Sequence, residues 1–394
     1  MLNVTRQAPS GCRRAAAAVG AGTADMRTLS DFAAAGAPFG SELVHACRAV
    51  RLAAMLCKEV QTQLGDAEKE DKSDDSPVTV ADYGAQVLVA WVLQKSCAPA
   101  RLSMVAEEDS TTLTAPEGRA MLERITALVN SVVAEEEPGT QLSTDDVVSL
   151  IELGDSDGGP SGRHWVLDPI DGTRGFVGMR QYCICLGMMQ DGVMQLGVLG
   201  GPNLPTGDIS DDDGGPTAMA RSGDDAVGSL FLAHKGFGAY SVQLRLKPSD
   251  PLSRLHVATG GDVSAARMME SYESRHSSHS FAAAVADELG ITTPSLRMDS
   301  QVKYGLLARG DEARIFMRFP PSTYREKIWD HAAGVVVVEE AGGKVTDACG
   351  DPLDFSLGRY LDSMKLGIIA APAALHPSVV GAIKAVSAKQ EGVL

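Results

Sequence analysis

The sequence contains no apolar run long enough to span a bilayer, which excludes a membrane-spanning helix. It also lacks any CxxC pair. Its seven cysteines (Cys12, Cys47, Cys57, Cys97, Cys183, Cys185 and Cys349) are an odd number, so neither a zinc site nor a disulfide framework is indicated. Reduced thiols serving as small hydrophobes are the reading they support. Cys183 and Cys185 alternate along an expected strand and so point the same way. Basic residues are scarce: 35 Lys and Arg stand against 51 Asp and Glu, giving a net charge of −16 and a pI near 4.9. That balance excludes the basic footprint needed by a nucleic-acid groove or a polybasic membrane surface. There is no internal repeat. What remains, with 44% hydrophobic and 22% charged residues, is an ordinary soluble globular chain. An acidic protein of this kind that handles an anionic substrate must screen its own carboxylates locally, and bound cations are the direct way.

The first stretch carries Arg6, Arg13 and Arg14, no acid before Asp25, and much Ala and Gly. Two readings stand side by side, an organellar transit segment and a disordered tail. The location is intracellular, and a chloroplast or mitochondrion if the segment is a transit peptide. Residues 1–40 therefore stay outside the fold reasoning. At 394 residues the chain exceeds what one core usually holds, so two lobes are expected. An N-terminal α+β metal-binding lobe is placed at 41–250 and a C-terminal α/β lobe at 251–394, joined near Pro248 to Pro251. From the N-cap candidate Ser41, the residues Leu43, Cys47, Val50, Ala54, Cys57 and Leu64 space an amphipathic helix. A polar loop at Gly65 to Asp75 and helices at Ala81 to Leu93 and Arg119 to Val133 follow. Tyr182 to Leu199 reads as paired strands around Asp191-Gly192, Thr206 to Gly228 as an exposed loop, and Ser229 to Leu246 as strand. Strands at Leu255 to Ala258, Ala313 to Met317 and Lys365 to Ala370 alternate with helices at Phe281 to Leu289, Ile328 to Ala341 and Pro377 to Ala388.

Four segments concentrate acids. In Trp165-Val-Leu-Asp-Pro-Ile-Asp-Gly-Thr-Arg-Gly-Phe176 an apolar strand ends at Asp168, and Asp171, Gly172 and Thr173 follow. Two carboxylates three residues apart at a strand end are costly to hold together unless cations lie between them, and hard oxygen ligands select Mg²⁺. Gly172 permits close backbone approach, and a helix starting after it would aim free N–H groups at a phosphate. The second segment is Val105-Ala-Glu-Glu-Asp-Ser110, in which Glu107 stands at the end of an apolar run; acid clusters of this sort are also common in solvated loops. The third is Ile328-Trp-Asp-His-Ala-Ala-Gly334 with Glu340-Ala-Gly-Gly343, where Asp330 is either an N-cap or a ligand. The fourth, Lys72-Ser-Asp-Asp-Ser-Pro-Val-Thr-Val-Ala-Asp82, is either a loop leading into a helix that Thr79 or Asp82 starts, or part of a site.

Taken together and in this order, the four segments resemble the lithium-sensitive, magnesium-dependent phosphatase superfamily that contains inositol monophosphatase and fructose-1,6-bisphosphatase. Within it the Ser-Pro-Val-Thr-x-Ala-Asp and Val-Ala-Glu-Glu-Asp-Ser strings resemble the 3′(2′),5′-bisphosphate nucleotidases, from about Ser41 to the C-terminus. The resemblance implies an α/β fold of alternating helix and sheet layers. It implies that Glu107, Asp168 and the Ile170 carbonyl hold one Mg²⁺, that Asp168, Asp171 and Asp330 hold a second, and that a third, weaker ion leans on Glu107. Asp82 and Thr173 look like the pair that activates the attacking water, with Asp74 and Asp75 as weaker rivals to Asp82.

Substrate choice rests on the C-terminal lobe. Arg275-His-Ser-Ser-His279 and Arg297-Met-Asp-Ser-Gln-Val-Lys-Tyr304 resemble the nucleotidase segments that hold adenosine and its 5′-phosphate. The likeness gives Gly172, Thr173, His276, Ser300, Lys303 and Arg318 as substrate contacts, with Arg314 competing for the last place. A retained second phosphate wants such a cationic clamp. The implied reaction converts adenosine 3′,5′-bisphosphate to AMP and phosphate, with 3′-phosphoadenylyl sulfate as a further substrate, clearing a by-product of sulfate transfer. Lithium sensitivity and a monomeric state are the matching expectations. An inositol polyphosphate 1-phosphatase is the alternative enzyme, and a catalytically inactive nucleotide-binding sensor the alternative outside enzymes.

Overall fold

The computed structural model describes residues 28–67, 77–97, 102–215, 227–272 and 278–390. Helix α1 (Leu29–Ala34) leads into the long α2 (Gly40–Ala67), and α3 (Pro77–Cys97) packs along it. Then come β1 (Met104–Ala106), α4 (Thr111–Thr114), α5 (Arg119–Glu136) and α6 (Thr144–Glu152). A run of strands follows: β2 (Arg163–Asp171), the short helix α7 (Thr173–Val177), β3 (Cys183–Gln190), β4 (Val193–Pro205), β5 (Val227–His234), β6 (Gly238–Gln243) and β7 (Ser253–Arg254). The remainder alternates: β8 (Arg267–Glu270), α8 (His279–Glu288), β9 (Leu296–Arg297), α9 (Val302–Arg309), β10 (Arg314–Arg318), α10 (Ala332–Glu340), β11 (Gly343–Asp347), β12 (Ile368–Pro372) and α11 (His376–Gln390).

Two sheets result, and helices cover every sheet face. The first has strand order β1-β2-β3-β4-β5-β6-β7, antiparallel except where β1 runs parallel to β2. The second has order β11-β12-β10-β8-β9. Helices α2 and α3 cover one face of the first sheet, α9 and α10 fill the space between the sheets, and α8 and α11 cover the outer face of the second. Alternation along β3 shows why the first sheet must be covered twice. Ile184, Leu186 and Met188 enter the core under α2 and α3, whereas Cys183, Cys185 and Met189 enter the core of α9 and α10. The outer core pairs Ile315, Met317 and Ile369 with Val379, Ile383 and Val386. Helix α3 is buried at every position from Val80 to Leu93, because α2, α5, α6 and β2 surround it. None of the described helices is long and apolar enough to cross a membrane.

Several expectations change. The segment set aside at the N-terminus is structured from Thr28 onward, and Leu29 and Phe32 join the first core. Residues 1–27 lie outside the described residues, as does the greater part of the polar loop after α2. Leu255 to Ala258 forms no strand. There the Leu255 N–H donates to Ala239 O and the Val257 N–H to Ala341 O, so the apolar alternation serves a connection buried between layers. The loop after β4 is not wholly exposed, since Asp213 is buried and accepts from Ser210 N and Oγ, and β5 begins at Val227. The helix expected at Ile328 to Ala341 is divided, with a 3₁₀ turn over Ile328–Asp330 and α10 starting at Ala332. Helices α6 and α9 and strands β8, β9 and β11 carry no separate sequence expectation, being short or lacking clear periodicity.

Helices α9 and α10 touch at a glycine. A Cβ on Gly334 would lie 2.1 Å from Tyr304 Cδ2, and the Tyr304 ring is fully buried and hydrogen-bonded through its hydroxyl to His331 Nδ1 at 2.8 Å. Gly334→Ala should therefore destabilise the protein by about 1–3 kcal/mol in urea unfolding, the usual cost of overpacking. An unchanged midpoint would show that the helices separate freely.

Candidate active site

Strand β2 carries its aspartates to the edge of the middle layer. Asp168 shares the parity of Val166, whose side chain faces the α9 and α10 core. The pairing Asp168↔Cys185 and then Asp171↔Cys183 contains one extra residue, a bulge at the point where Pro169 has no N–H to give to the ladder. The bulge ends the strand and turns Asp171 toward α9. There Asp171 Oδ2 accepts from the Gln301 backbone N–H at 2.6 Å. Gly172 follows with φ of 89°, and a Cβ on it would stand 2.9 Å from Ser300 Cβ. Ser300 itself has φ of 66°, an uncommon conformation for a residue with a side chain. These two turns meet so closely that only glycine fits at position 172.

Gln301 fixes the other side. Its side chain is buried, donates to Trp329 O at 2.8 Å and accepts from Gly334 N at 3.2 Å, which ties the start of α9 to the turn that carries Asp330. Asp330 makes no capping bond to α10. Its carboxylate instead faces Arg318 Nη2 at 3.6 Å, so the N-cap reading of Asp330 does not hold. Asp82 lies inside α3, which begins at Pro77, and is 6% exposed, so the reading of Asp82 as a helix starter fails as well. Thr173 Oγ1 contacts the Ile170 carbonyl at 3.4 Å, with no direct hydrogen bond to Asp82.

These elements enclose a pocket of about 360 Å³. Glu107, Asp168, Ile170, Asp171, Gly172, Thr173, Ser300, Lys303, Arg318 and Asp330 all line it, so ten of the residues singled out in the sequence meet around one cavity. Asp82 is not in its wall but lies close enough to raise the pKa of Asp168. Arg314 is elsewhere, bonded to Glu312 Oε1 at 3.0 Å and to Leu306 O at 3.0 Å, which removes it as a rival to Arg318. His276, Arg275, Asp74 and Asp75 lie outside the described residues.

Electrostatics in the pocket are dominated by crowded acids. Asp168 is 3% exposed, and its Oδ1 is buried with no hydrogen-bond partner. Burial, then Glu107, Asp171, Asp330 and Asp82, holds its carboxyl well above the usual range. Burial pushes Asp171 up to about 6 against the pull of Lys303, Arg318 and the Gln301 N–H. Burial also pushes Asp330 up to about 7, against Arg318 and aided by Asp171. Asp82 is raised by burial and then by Glu108 and Glu107. Lys303 is brought down to about 8 by burial, against Asp171 and Asp299, and its Nζ donates to Met298 O at 2.9 Å.

Sequence reasoning missed the partners of these groups. Lys327 Nζ pairs with Glu107 Oε1 at 2.9 Å. Glu326 accepts from Arg318 Nε at 2.6 Å and from His331 Nε2 at 3.1 Å. Burial alone would raise Glu326, but His331 and Arg318 outweigh it and hold it down at about 2. Both residues directly precede the Ile328-Trp-Asp string, and their adjacency to it was the available signal. Ligand atoms of Glu326, Asp330 and His331 lie within 4.8 Å of one another. Arg318 and His331 already engage the Glu326 oxygens, so that trio reads as an arginine anchor. The orphaned Asp168 Oδ1, with Asp171, Asp330, Glu107 and the Ile170 carbonyl around the same cavity, does fit a hard divalent cation.

Comparison with known proteins defines the class. A sequence model of the Inositol monophosphatase family matches residues 42–388, and the chain belongs to that family. Solved structures agree at the level of fold. The inositol monophosphatase of Zymomonas mobilis superposes with a TM-score of 0.52 at 18% identity, covering 88% of this chain and 99% of that one. CysQ of Bacteroides thetaiotaomicron, a bacterial member of the same family, gives 0.52 at 19% identity over 84% and 97%. Sequence relatives narrow the likeness. A 3′(2′),5′-bisphosphate nucleotidase of Oryza sativa is 48% identical over 89% of this chain and 96% of its own length. The 3′(2′),5′-bisphosphate nucleotidase 1 of Arabidopsis thaliana is 48% identical over 90% and 98%, and a nucleotidase of the same name from Emericella nidulans is 40% identical over 86% and 96%.

The raised carboxyl groups give a sign for stability against pH. A carboxyl held above its ordinary value favours folding fully at pH below that value, near 4, and loses the contribution as pH rises through the folded value. For Asp171 and Asp330 the loss runs up through about 6 and about 7. With metal chelated, the unfolding temperature should fall between pH 4 and 7, a loss on the order of a few kcal/mol. Asp168→Asn should flatten that slope. A chelated protein that grows more stable over this interval would contradict the crowding of acids described above.

Proposed function

We propose that this chain is a magnesium-dependent phosphomonoesterase that removes the 3′-phosphate of adenosine 3′,5′-bisphosphate, leaving AMP, and that it also accepts 3′-phosphoadenylyl sulfate. The observation that carries the reading is the coexistence, in one pocket, of crowded carboxylates with a partnerless buried oxygen and of two largely buried cations, Lys303 and Arg318. The first feature suits ions on a phosphate that leaves, and the second suits an anion that stays. The names of the relatives at 40–48% identity point to the same substrate class.

Glu107, Asp168, Asp171, Asp330 and the Ile170 carbonyl would hold two, or three, Mg²⁺ ions. When bound, such ions supply activation of water and neutralisation of charge on the phosphoryl oxygens. Thr173, beside Ile170, would orient the attacking water, and the carboxylate of Asp82, close behind Asp168, would take up its proton. Gly172, by lacking a side chain, lets the phosphoryl group approach the backbone. Ser300 and Lys303 at the start of α9, with Arg318 at the end of β10, grip the retained 5′-phosphate as charge-assisted hydrogen-bond donors. The acidic exterior leaves this clamp as a local exception to a net charge of −16.

The first test is phosphate release with Mg²⁺ and with EDTA, from adenosine 3′,5′-bisphosphate and from inositol 1,4-bisphosphate. Mg²⁺-dependent release from the nucleotide alone is expected. Preference for the inositol substrate would transfer the reading to an inositol polyphosphate 1-phosphatase, and no release from either would leave a binding protein. Asp168→Asn should lower turnover roughly a hundredfold or more while the protein stays folded. Lys303→Ala should raise KM for the bisphosphate far more than for adenosine 3′-monophosphate, which lacks the second anion. Equal losses on both would place the clamp elsewhere.

A further inference from the structure

Arg318 faces two carboxylates. Its Nε lies 2.6 Å from Glu326 Oε1, and its Nη2 lies 3.6 Å from Asp330 Oδ2, beyond hydrogen-bond length. The guanidinium is also 5.7 Å from the Tyr324 ring, and it lines the pocket. Glu326 is 1% exposed and is not among the residues that line the cavity; it sits behind Arg318 and His331, which do. It is held from several directions. Its backbone carbonyl accepts from Leu361 N at 2.9 Å, and the next residue, Lys327, bridges to Tyr360. Its second oxygen accepts from His331 Nε2 at 3.1 Å. A carboxylate at that nitrogen fixes the Nε2–H tautomer, which leaves Nδ1 to accept from the Tyr304 hydroxyl at 2.8 Å. One line of buried groups thus runs from α9 through His331 and Glu326 to the end of β10.

We propose that Glu326 is a positioning residue that holds Arg318 off Asp330, keeping Asp330 free for metal and Arg318 turned toward the anion that the substrate retains. The inference rests on the metal-dependent reading above and assigns a task to a residue outside the pocket. Charge counting supports it. Lys327 is paired with Glu107, Arg318 with Glu326 and Arg180 with Asp299, which leaves Asp168, Asp171 and Asp330 as the pocket-lining carboxylates, among the described residues, without a full ionic partner. If Glu326 loses its charge, the nearest acid to Arg318 is Asp330. The guanidinium then closes the 3.6 Å gap and occupies a ligand.

The test uses purified protein, with Mg²⁺ binding read by titration calorimetry and kinetics read on adenosine 3′,5′-bisphosphate. Glu326→Gln should weaken Mg²⁺ binding by about tenfold or more, and its KM for the bisphosphate should rise more than its kcat falls. The double variant Glu326→Gln with Arg318→Met removes both members of the pair. It should recover Mg²⁺ affinity to within about threefold of the wild type while KM stays high. A folded Glu326→Gln protein with wild-type Mg²⁺ affinity would overturn the proposal, as would a double variant that binds Mg²⁺ as weakly as the single one. If the single variant does not fold, the double variant decides alone, with wild-type affinity in support and weaker affinity against. A wild type that binds Mg²⁺ but releases no phosphate defeats the assigned reaction and leaves the role of Glu326 to the calorimetry. A wild type that binds no Mg²⁺ overturns both.

Discussion

One buried oxygen governs the site. Asp168 Oδ1 has no partner in the protein, although the strand that carries it is paired on both sides and packed. A buried carboxylate costs several kcal/mol unless something compensates it, and its neighbours Glu107, Asp171 and Asp330 make the position worse. The rest of the centre is arranged around that deficit. The bulge at Pro169 brings a second carboxylate beside the first, Asp171 is steadied by the first turn of α9, and Gln301 fastens that turn to the segment bearing Asp330. Local order is thus used to keep like charges together, which is the reverse of what stability alone favours.

The layers explain how this is sustained. Sheet, helix pair and sheet each bury apolar side chains on both faces, so the ends of β2, α9 and β10 are held by cores on every side. The chain can then tolerate strained features at their junction, such as Ser300 with positive φ. The pocket lies where the strand end of the first sheet meets the helix start between the layers, and neither element would form it alone.

Much of this was legible in the sequence because cost leaves a mark there. Two aspartates around a proline at the end of an apolar strand have few structural uses, so Asp168 and Asp171 stood out, and the strings ending in Asp82 and containing Glu107 and Asp330 ranked beside them by resemblance. Long helices such as α2 were legible from spacing. What escaped was of two kinds. Short elements such as β9 and β11 owe their existence to neighbours in the sheet and have no periodicity of their own. Lys327 and Tyr304 act through partners far away in the chain, Glu107 and Lys327 being 220 positions apart, and even Glu326 meets its near neighbours Arg318 and His331 only because a turn folds them together. A lone Glu or Lys beside a motif carries no sign of what it will touch. Leu255 and Val257 misled for a related reason, since alternation records burial and a buried connection alternates as well as a strand does.

The order of the site residues along the chain has a consequence for synthesis. Asp82, Glu107, Asp168 and Asp171 emerge from the ribosome first, whereas Lys303, Arg318 and Lys327 come more than a hundred residues after the last of these acids. A first sheet formed before they emerge therefore holds these acids, at the end of β2, without the cations that the complete pocket sets beside them. Domains generally fold as units during synthesis, but here the end of β2 cannot be settled before α9 and β10 arrive. A polypeptide truncated before β10 would lack Arg318, Lys327 and Asp330 alike, and so would leave Glu107 and Asp171 without two of the cations that oppose them. Assembly of the pocket waits, in this architecture, for the strand and turn that carry Arg318, Lys327 and Asp330.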